Sequence, residues 1–311
     1  MDNVHADQFL TDLSLLQTAE GMVGDMVFPV RPVDHRTGFY EVFGTEHFKQ
    51  TETLRRPGAA AYEANFTLSK GTYSAQEYSQ SALVPAQIQQ NADNPPIDPK
   101  VNMTIQLTEL MKLDRERRQM QVAGDPTQIT QNLALSGTSQ WSDYVNSVPL
   151  TNIKAARSAV RAGVHREANT ITLSYDAALT LADHPSIKDL IKYVDPQALE
   201  IGGLPPTLRG LKVIVSEADQ DTTAFSSQTP VFSPVFSKAA LIHYTDPNLG
   251  LRSISLGVTF EVPDAVTGQR ALSVRQWFDE ARKGDFIEVS DSYAVKVLAP
   301  LAGYLFTTCI A

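Results

Sequence analysis

The stretch from Asp98 to Gly124 constrains the fold more than any other part of the chain. Asp98 suits an N-cap and Pro99 suits the first helical position. No breaker follows until Gly124, and Pro126 is a stop signal. The pattern predicts one helix over 99–123, about 37 Å long at 1.5 Å per residue. Met103, Leu107, Leu110 and Met111 form its apolar stripe. Its second half, Leu113 to Gln119, is densely charged. Asp114 with Arg118, and Lys112 with Glu116, stand four apart and are expected to pair along its surface.

The segments before this helix have a different character. Ala6, Phe9, Leu10, Leu13, Leu16 and Ala19 have helical spacing, with Asp2 or Asn3 as a cap. Met26 to Val30 reads as extended, and Pro29 and Pro32 confine it to an edge or an arm. Residues 36–85 hold two strand candidates, Gly38–Gly44 and Thr72–Tyr78, and few large aliphatic side chains. Such a segment cannot bury itself. It is expected to be a two-stranded excursion whose aromatic rings pack on another chain, the alternative being a mobile surface loop.

From residue 150 the pattern alternates. Helices are expected around Ile153–Val164, from Asp176 as cap to His184-Pro185, and over Ser186–Tyr193. Strands are expected at Asn169–Tyr175, Leu211–Val215, Ala239–His243 and Ser253–Val262. Gln276–Val289 reads as two strands about Lys283-Gly284-Asp285, although its first half also fits a helix; Ala294–Ile310 is apolar and strand-like.

Composition removes whole classes of function. The 311 residues carry 26 basic and 35 acidic side chains, a net charge of −9. With 42% hydrophobic and 20% charged residues the balance is that of a globular protein, not a disordered or collagenous one. The length exceeds what one core comfortably fills. The single cysteine, Cys309, excludes an internal disulfide framework and is expected to be a buried structural thiol. Residues 1–7 lack the pattern of a signal peptide, and the run Val297–Phe306 is too short for a membrane helix and is broken by Pro300 and Gly303. No two of the six histidines stand at metal-ligand spacing, and no phosphate-binding glycine loop or nucleophile elbow occurs. No catalytic residue, cofactor or metal is therefore assigned.

Two basic clusters remain. Arg115, Arg117 and Arg118 are candidates for contact with DNA phosphates, against the alternative of a solvated helix face paired with Asp114 and Glu116. Arg55 and Arg56 precede a Pro57-Gly58 turn that presents them, which favours contact with an acidic patch on a neighbouring subunit. Lys49 and Lys70 are expected to be ordinary surface lysines.

Three stretches, taken in order, resemble one family. They are Leu135-Ser136-Gly137-Thr138-Ser139-Gln140-Trp141-Ser142-Asp143 with Pro149 and Asn152–Ala156; Asn169–Ser174 with Leu181–Lys188; and Ala294–Val297 with Ala302–Leu305. Their order and spacing resemble the major capsid proteins of tailed bacteriophages, which have the Hong Kong 97-type fold. Met26–Val33 fits that family's N-terminal arm. The resemblance implies an α+β fold with an arm over 1–35 and an extended loop over 36–85. It implies a peripheral domain from 86–149 and 246–290 with a spine helix over 99–123, and an axial domain from 150–245 and 291–311. It implies a non-enzymatic shell subunit that assembles into hexamers and pentamers around double-stranded DNA, in a virion formed in the bacterial cytoplasm. The implied partners are further copies of itself, portal and scaffolding proteins, packaged DNA bound without sequence specificity, and a decoration protein in some shells. A separate scaffolding protein, with no cleaved propeptide, is expected. Phe39, Tyr40, Phe43, Arg55, Arg56, Tyr62, Phe66, Tyr73 and Tyr78 are the assembly-contact candidates. The competing expectations are an encapsulin-like compartment and an α/β hydrolase or transferase.

Overall fold

The computed structural model describes residues 5–6, 21–42, 54–55, 57–58, 69–91, 98–191, 203–223, 229–246, 254–264, 268 and 272–311. The chain begins with β1 (His5–Ala6), α1 (Gly24–Val27), β2 (Val30–Pro32), β3 (Thr37–Val42), β4 (Ser69–Ser74) and β5 (Gln76–Pro85). Then come α2 (Ala86–Asn91), α3 (Pro99–Ala123), β6 (Asn132–Ala134), α4 (Pro149–Val164), β7 (Thr170–Ser174), α5 (Tyr175–Asp183) and α6 (Pro185–Ile191). The remainder is strand: β8 (Thr207–Leu208), β9 (Leu211–Ser216), β10 (Asp219–Asp221), β11 (Phe232–Pro234), β12 (Ala240–His243), β13 (Gly257–Glu261), β14 (Ser273–Asp279), β15 (Gly284–Val297) and β16 (Gly303–Thr307).

Helix α3 has the predicted bounds, and Asp98 caps it by accepting from the Lys100 amide at 2.9 Å. Leu107 and Met111 are buried as the stripe requires, whereas Leu110 lies exposed. The helix packs along β15, the central strand of a six-stranded sheet ordered β1-β14-β15-β13-β2, with β5 also on β15. Tyr293 of β15 pairs with Gln76 on one side and Glu261 on the other, so β5 flanks the strand opposite β13. The ambiguous 276–289 stretch is a hairpin: Lys283 takes φ 49 and lets the chain turn from β14 into β15. Between helix and sheet lies an apolar layer of Leu107, Met111, Val84, Val274, Ile287 and Val289.

A second six-stranded sheet is ordered β6-β16-β12-β7-β9-β8. Its middle strands β7 and β12 are buried at every position, as the continuous Thr-Ile-Thr-Leu-Ser and Ala-Leu-Ile-His runs dictate. Two of their polar side chains meet across the pair: Thr172 Oγ1 lies 3.1 Å from His243 Nε2. Helices α4, α5 and α6 supply Ile153, Val160, Leu181 and Ile187 to the same core, which also takes Trp141, Phe306 and Cys309. Cys309 is buried, and burial pushes its thiol up to about 12.

Several expectations need correction. Met26 and Val27 form a helical turn, not an extended piece; only Val30–Pro32 is strand, at the sheet edge where Pro32 can be tolerated. Helix α5 starts at Tyr175 after Ser174, so Asp176 lies in its first turn and is not its cap. Glu116 is buried and does not lie on a surface with Lys112. The expected helix over 6–20 lies outside the described residues, save Ala6, which pairs with Arg275 in β1.

Strands β3 and β4 form a hairpin that Phe260 ties to the first sheet. The Tyr73 ring stacks on Phe260 at 4.3 Å between centroids and the Tyr40 ring meets it at 5.7 Å. Phe260→Ala is expected to lower the unfolding free energy by about 3–5 kcal/mol. Denaturant titration measures this, and faster hydrogen exchange at Tyr40 and Tyr73 should accompany it.

Candidate functional site

The most concentrated set of buried charge lies where α1, α3, β13 and β15 meet. Glu116 of α3, 2% exposed, turns its carboxylate onto the start of α1. It accepts from the Val23 amide at 3.0 Å and the Gly24 amide at 2.7 Å. A one-turn helix has little stability alone, and a carboxylate at its N-terminus satisfies amides that would otherwise be orphaned. This is why Met26-Val27 is helical against the extended reading. Glycine at position 24 leaves room for the knot: a Cβ there would lie 2.0 Å from Gln119 Oε1 and 2.6 Å from Glu116 Oε2, and would have to displace both side chains.

One residue earlier on α3, Arg115 gathers three carboxylates. Its guanidinium lies 3.2 Å from Asp25, 3.2 Å from Glu261 and 3.1 Å from Asp291, and its carbon stands 5.3 Å from the Tyr293 ring centre. Gln119, one turn on, donates to Asp25 at 2.7 Å and to Thr259 Oγ1 at 3.0 Å. Thr259 in turn donates to the Phe28 carbonyl at 3.1 Å. Segment 23–28, the long helix and two strands thus share one polar knot. A cavity of about 470 Å³ adjoins it, lined in part by Met22, Lys112 and Leu272.

Burial dominates the protonation of this knot. It raises Asp291 to about 6; Arg115 opposes the rise and Glu261 reinforces it. Burial also raises Glu116, against the two amides that hold its charged form. Burial works against the charge on Arg115, but Asp25, Asp291 and Glu261 overcome it and leave the guanidinium firmly protonated. For Asp291 the folded value lies above the ordinary 3.8. Its contribution to stability is therefore complete at low pH and is lost as the pH rises through about 6. His243 has the opposite sign: burial lowers it to about 3, so its contribution is present above the free-histidine range and is lost on acidification.

The structure places the sequence candidates in different settings. Arg115, with its side chain 12% exposed, is an internal tie and not a surface contact for phosphates. Arg117 and Arg118 are half-exposed and share Asp114, at 2.7 and 2.8 Å. Arg118 also lies over the Tyr78 ring at 4.0 Å, and Tyr78 meets Tyr293 at 4.8 Å. Tyr73 and Tyr78 therefore pack within this chain, as Tyr40 does in part, because Phe260 and Tyr293 supply rings close at hand. Phe39 is different: 75% exposed, it points away from the core. Arg55 is exposed beside the Pro57–Gly58 turn, where Gly58 has φ 81. Phe43, Arg56, Tyr62 and Phe66 lie outside the described residues. Sequence reasoning missed Glu116, Gln119, Asp25, Glu261 and Asp291 as one set; the available signal was a carboxylate and an amide three apart on an otherwise exposed-looking helix.

Among the described residues no group of three His, Cys, Asp or Glu side chains is placed to hold a metal. No family model matches the sequence. A phage-related protein from Bordetella bronchiseptica RB50 is similar in structure, at TM-score 0.75 and 25% identity, covering 98% of this chain and 97% of that one. The capsid structure of the cyanophage P-SCSP1u is similar at TM-score 0.61 and 10% identity, covering 90% and 86%. This is the Hong Kong 97-type capsid fold. In sequence the chain is 25% identical over 190 residues to the major capsid protein of Burkholderia phage BcepMu. That match spans 60% of this chain and 61% of the curated relative. Within the capsid fold the polar knot fastens the N-terminal segment to the long helix.

Two outcomes test the knot. Glu116→Ala is expected to cost about 1–3 kcal/mol and to release the Val23 and Gly24 amides to hydrogen exchange. Asp291→Asn is expected to gain on the wild type by about 2–3 kcal/mol between pH 4 and pH 7 in urea unfolding. An unchanged difference across that range would show that Asp291 is ionised throughout.

Proposed function

We propose that the chain is a structural subunit of an icosahedral tailed-phage head, assembling as hexamers and pentamers into a shell around double-stranded DNA. The observation that carries this reading is similarity along nearly the whole chain to a phage-related protein, joined to sequence similarity to a phage major capsid protein. The organisation of the chain supports it. Residues 1–35 serve as an arm and 36–85 as an extended loop over a neighbour, its last strand, β5, returning to this chain's own sheet on β15. The sheet around β15 with α3 forms the body of a peripheral domain of 86–149 and 246–290, which β2, β5 and the end of β15 join from outside those bounds, and the sheet around β7 and β12, with β6 at its edge, forms that of an axial domain of 150–245 and 291–311.

A shell subunit needs no active centre. Its energy of assembly resides in many repeated contacts, each burying surface that a lone subunit leaves exposed. Phe39 and Arg55 are the described candidates for such contacts, with Phe43, Arg56, Tyr62 and Phe66 in the same loop. Arg117 and Arg118 are the remaining candidates for DNA contact. Portal, scaffolding and decoration proteins are the further partners, and the virion is the destination, after assembly in the bacterial cytoplasm. The net charge of −9 suits a wall that encloses DNA without binding it tightly.

Negative-stain microscopy of the expressed protein is expected to show hollow icosahedra or their hexamers and pentamers. DNA recovered from particles formed in infected cells would fit the phage reading, and a cargo enzyme would replace it with a compartment shell. Deletion of residues 48–70 is expected to leave a folded subunit that forms no stable shell; normal particles from that variant would refute the role given to the loop.

A further inference from the structure

The second sheet is electrically polar from end to end. Strands β7 and β9 run parallel, with Thr170 beside Lys212 at their start and Ser174 beside Ser216 at their finish. With about 3.3 Å per residue and four steps between them, the two ends lie roughly 13 Å apart. The starting end is basic. Lys212 is exposed there, and Arg209 occupies the β8–β9 turn at φ 54, next to Gly210 at φ 81. Arg157 of α4 donates to the Arg209 carbonyl. Lys154, Arg157 and Arg161 fall three and four apart on α4 and line one shallow depression. His165 and Arg166 follow, both exposed. Among the described residues, carboxylates also lie in the same region. Glu167 is 3.1 Å from Arg161 and 3.8 Å from Arg157, and Asp246 follows β12, whose last residue His243 pairs with Thr170.

The finishing end has the opposite character. Asp176 follows β7, and Glu217, Asp219 and Asp221 follow β9. Asp221 is held anionic by hydrogen bonds from the Thr223 hydroxyl and amide, which lower its carboxyl. Lys238, a cation among the described residues at this end, donates to the Ala311 carbonyl at 2.8 Å. Three large apolar side chains are exposed at the same end: Tyr175, Val231 and Phe232, the last 66% exposed and paired through its backbone with Asp221. Apolar rings bordered by charge are the anatomy of a protein contact.

We propose that the basic end, Arg161, Arg166, Arg209 and Lys212 foremost, receives the acidic β10–β11 hairpin of a second copy of this chain. The contact is head-to-tail, since the two complementary surfaces lie at opposite ends of the same strands. A heterologous contact of this kind closes into rings when its rotation permits. A nucleic acid is the weaker fit, because Glu167 stands among the cations and the chain as a whole is acidic. The proposal rests on the shell reading above and specifies which charges join its subunits.

The test uses the full chain in three forms: Arg161→Glu with Arg166→Glu and Lys212→Glu; Asp219→Lys with Asp221→Lys; and all five together. Sedimentation velocity and microscopy measure the assembled fraction. Each separate set is expected to reduce it about tenfold, and the five together to restore most of it. Zero-length carbodiimide coupling of wild-type particles, mixed from isotopically light and heavy copies, should join Lys212 to Asp219 or Asp221 between copies. That measurement decides the matter if a variant fails to fold. Full assembly by both separate sets, or cross-links confined to single copies, overturns the proposal while leaving the shell reading intact. Intact assembly with reduced DNA content in the basic-end set assigns the patch to DNA and also overturns it. A wild-type chain that stays monomeric under every condition overturns both readings.

Discussion

Two amides at the start of a four-residue helix find their acceptor 93 and 92 residues further along the chain, on the carboxylate of Glu116. The path of segment 23–28 depends on that contact. Without it, segment 23–28 has no reason to be helical, and Phe28 loses the backbone path that takes it into the core. Thr259 would lose an acceptor, and Gln119 would lose Asp25. The carboxylate is expensive to bury, and its two amide donors make the burial tolerable. Arg115 beside it does the same for three more acids. One short stretch of α3 thus binds the chain's early segment to the sheet through hydrogen bonds whose removal would each leave a buried polar group unsatisfied.

Much of the fold was legible because it follows from local pattern. Asp98-Pro99 and Gly124 bracket α3, and the apolar strands β7, β9 and β12 stand within a residue or two of where their runs predict. Legibility stopped where a distant group decides a local conformation. Nothing within 21–32 encodes a helical turn at 24–27; the deciding carboxylate is on another element. The same cause hid the knot. Arg115, Glu116 and Gln119 look like an exposed, self-paired helix face, since sequence shows charges but not which side of a helix meets a sheet. The aromatic residues of 36–85 were read as facing another chain for a related reason. Their partners, Phe260 and Tyr293, arrive from strands about two hundred residues later.

The two ends of the second sheet and the knot of the first use charge differently. In the knot, one buried guanidinium gathers several carboxylates, all but Asp25 withdrawn from water, so salt has little access to them. At the sheet ends they are separated by the length of a strand and remain wet. Paired, buried charge ties the segments of one subunit together, whereas separated, exposed charge is available to a neighbour and weakens as ionic strength rises.

Strand β15 has 14 residues and three partners: β14 and β13 in succession along one edge, and β5 along the other. At about 3.3 Å per residue it spans roughly 46 Å, longer than the helix of roughly 37 Å packed along it. Strand pairings can err by sliding one place, which turns every inward side chain outward. Here a slide would break three ladders together, expel Ile287 and Val289 from beneath α3, and pull Asp291 away from Arg115. The long strand therefore acts as a proofreading element for the chain's own folding: of all the alignments open to it, one alone satisfies its neighbours on both edges and the helix above.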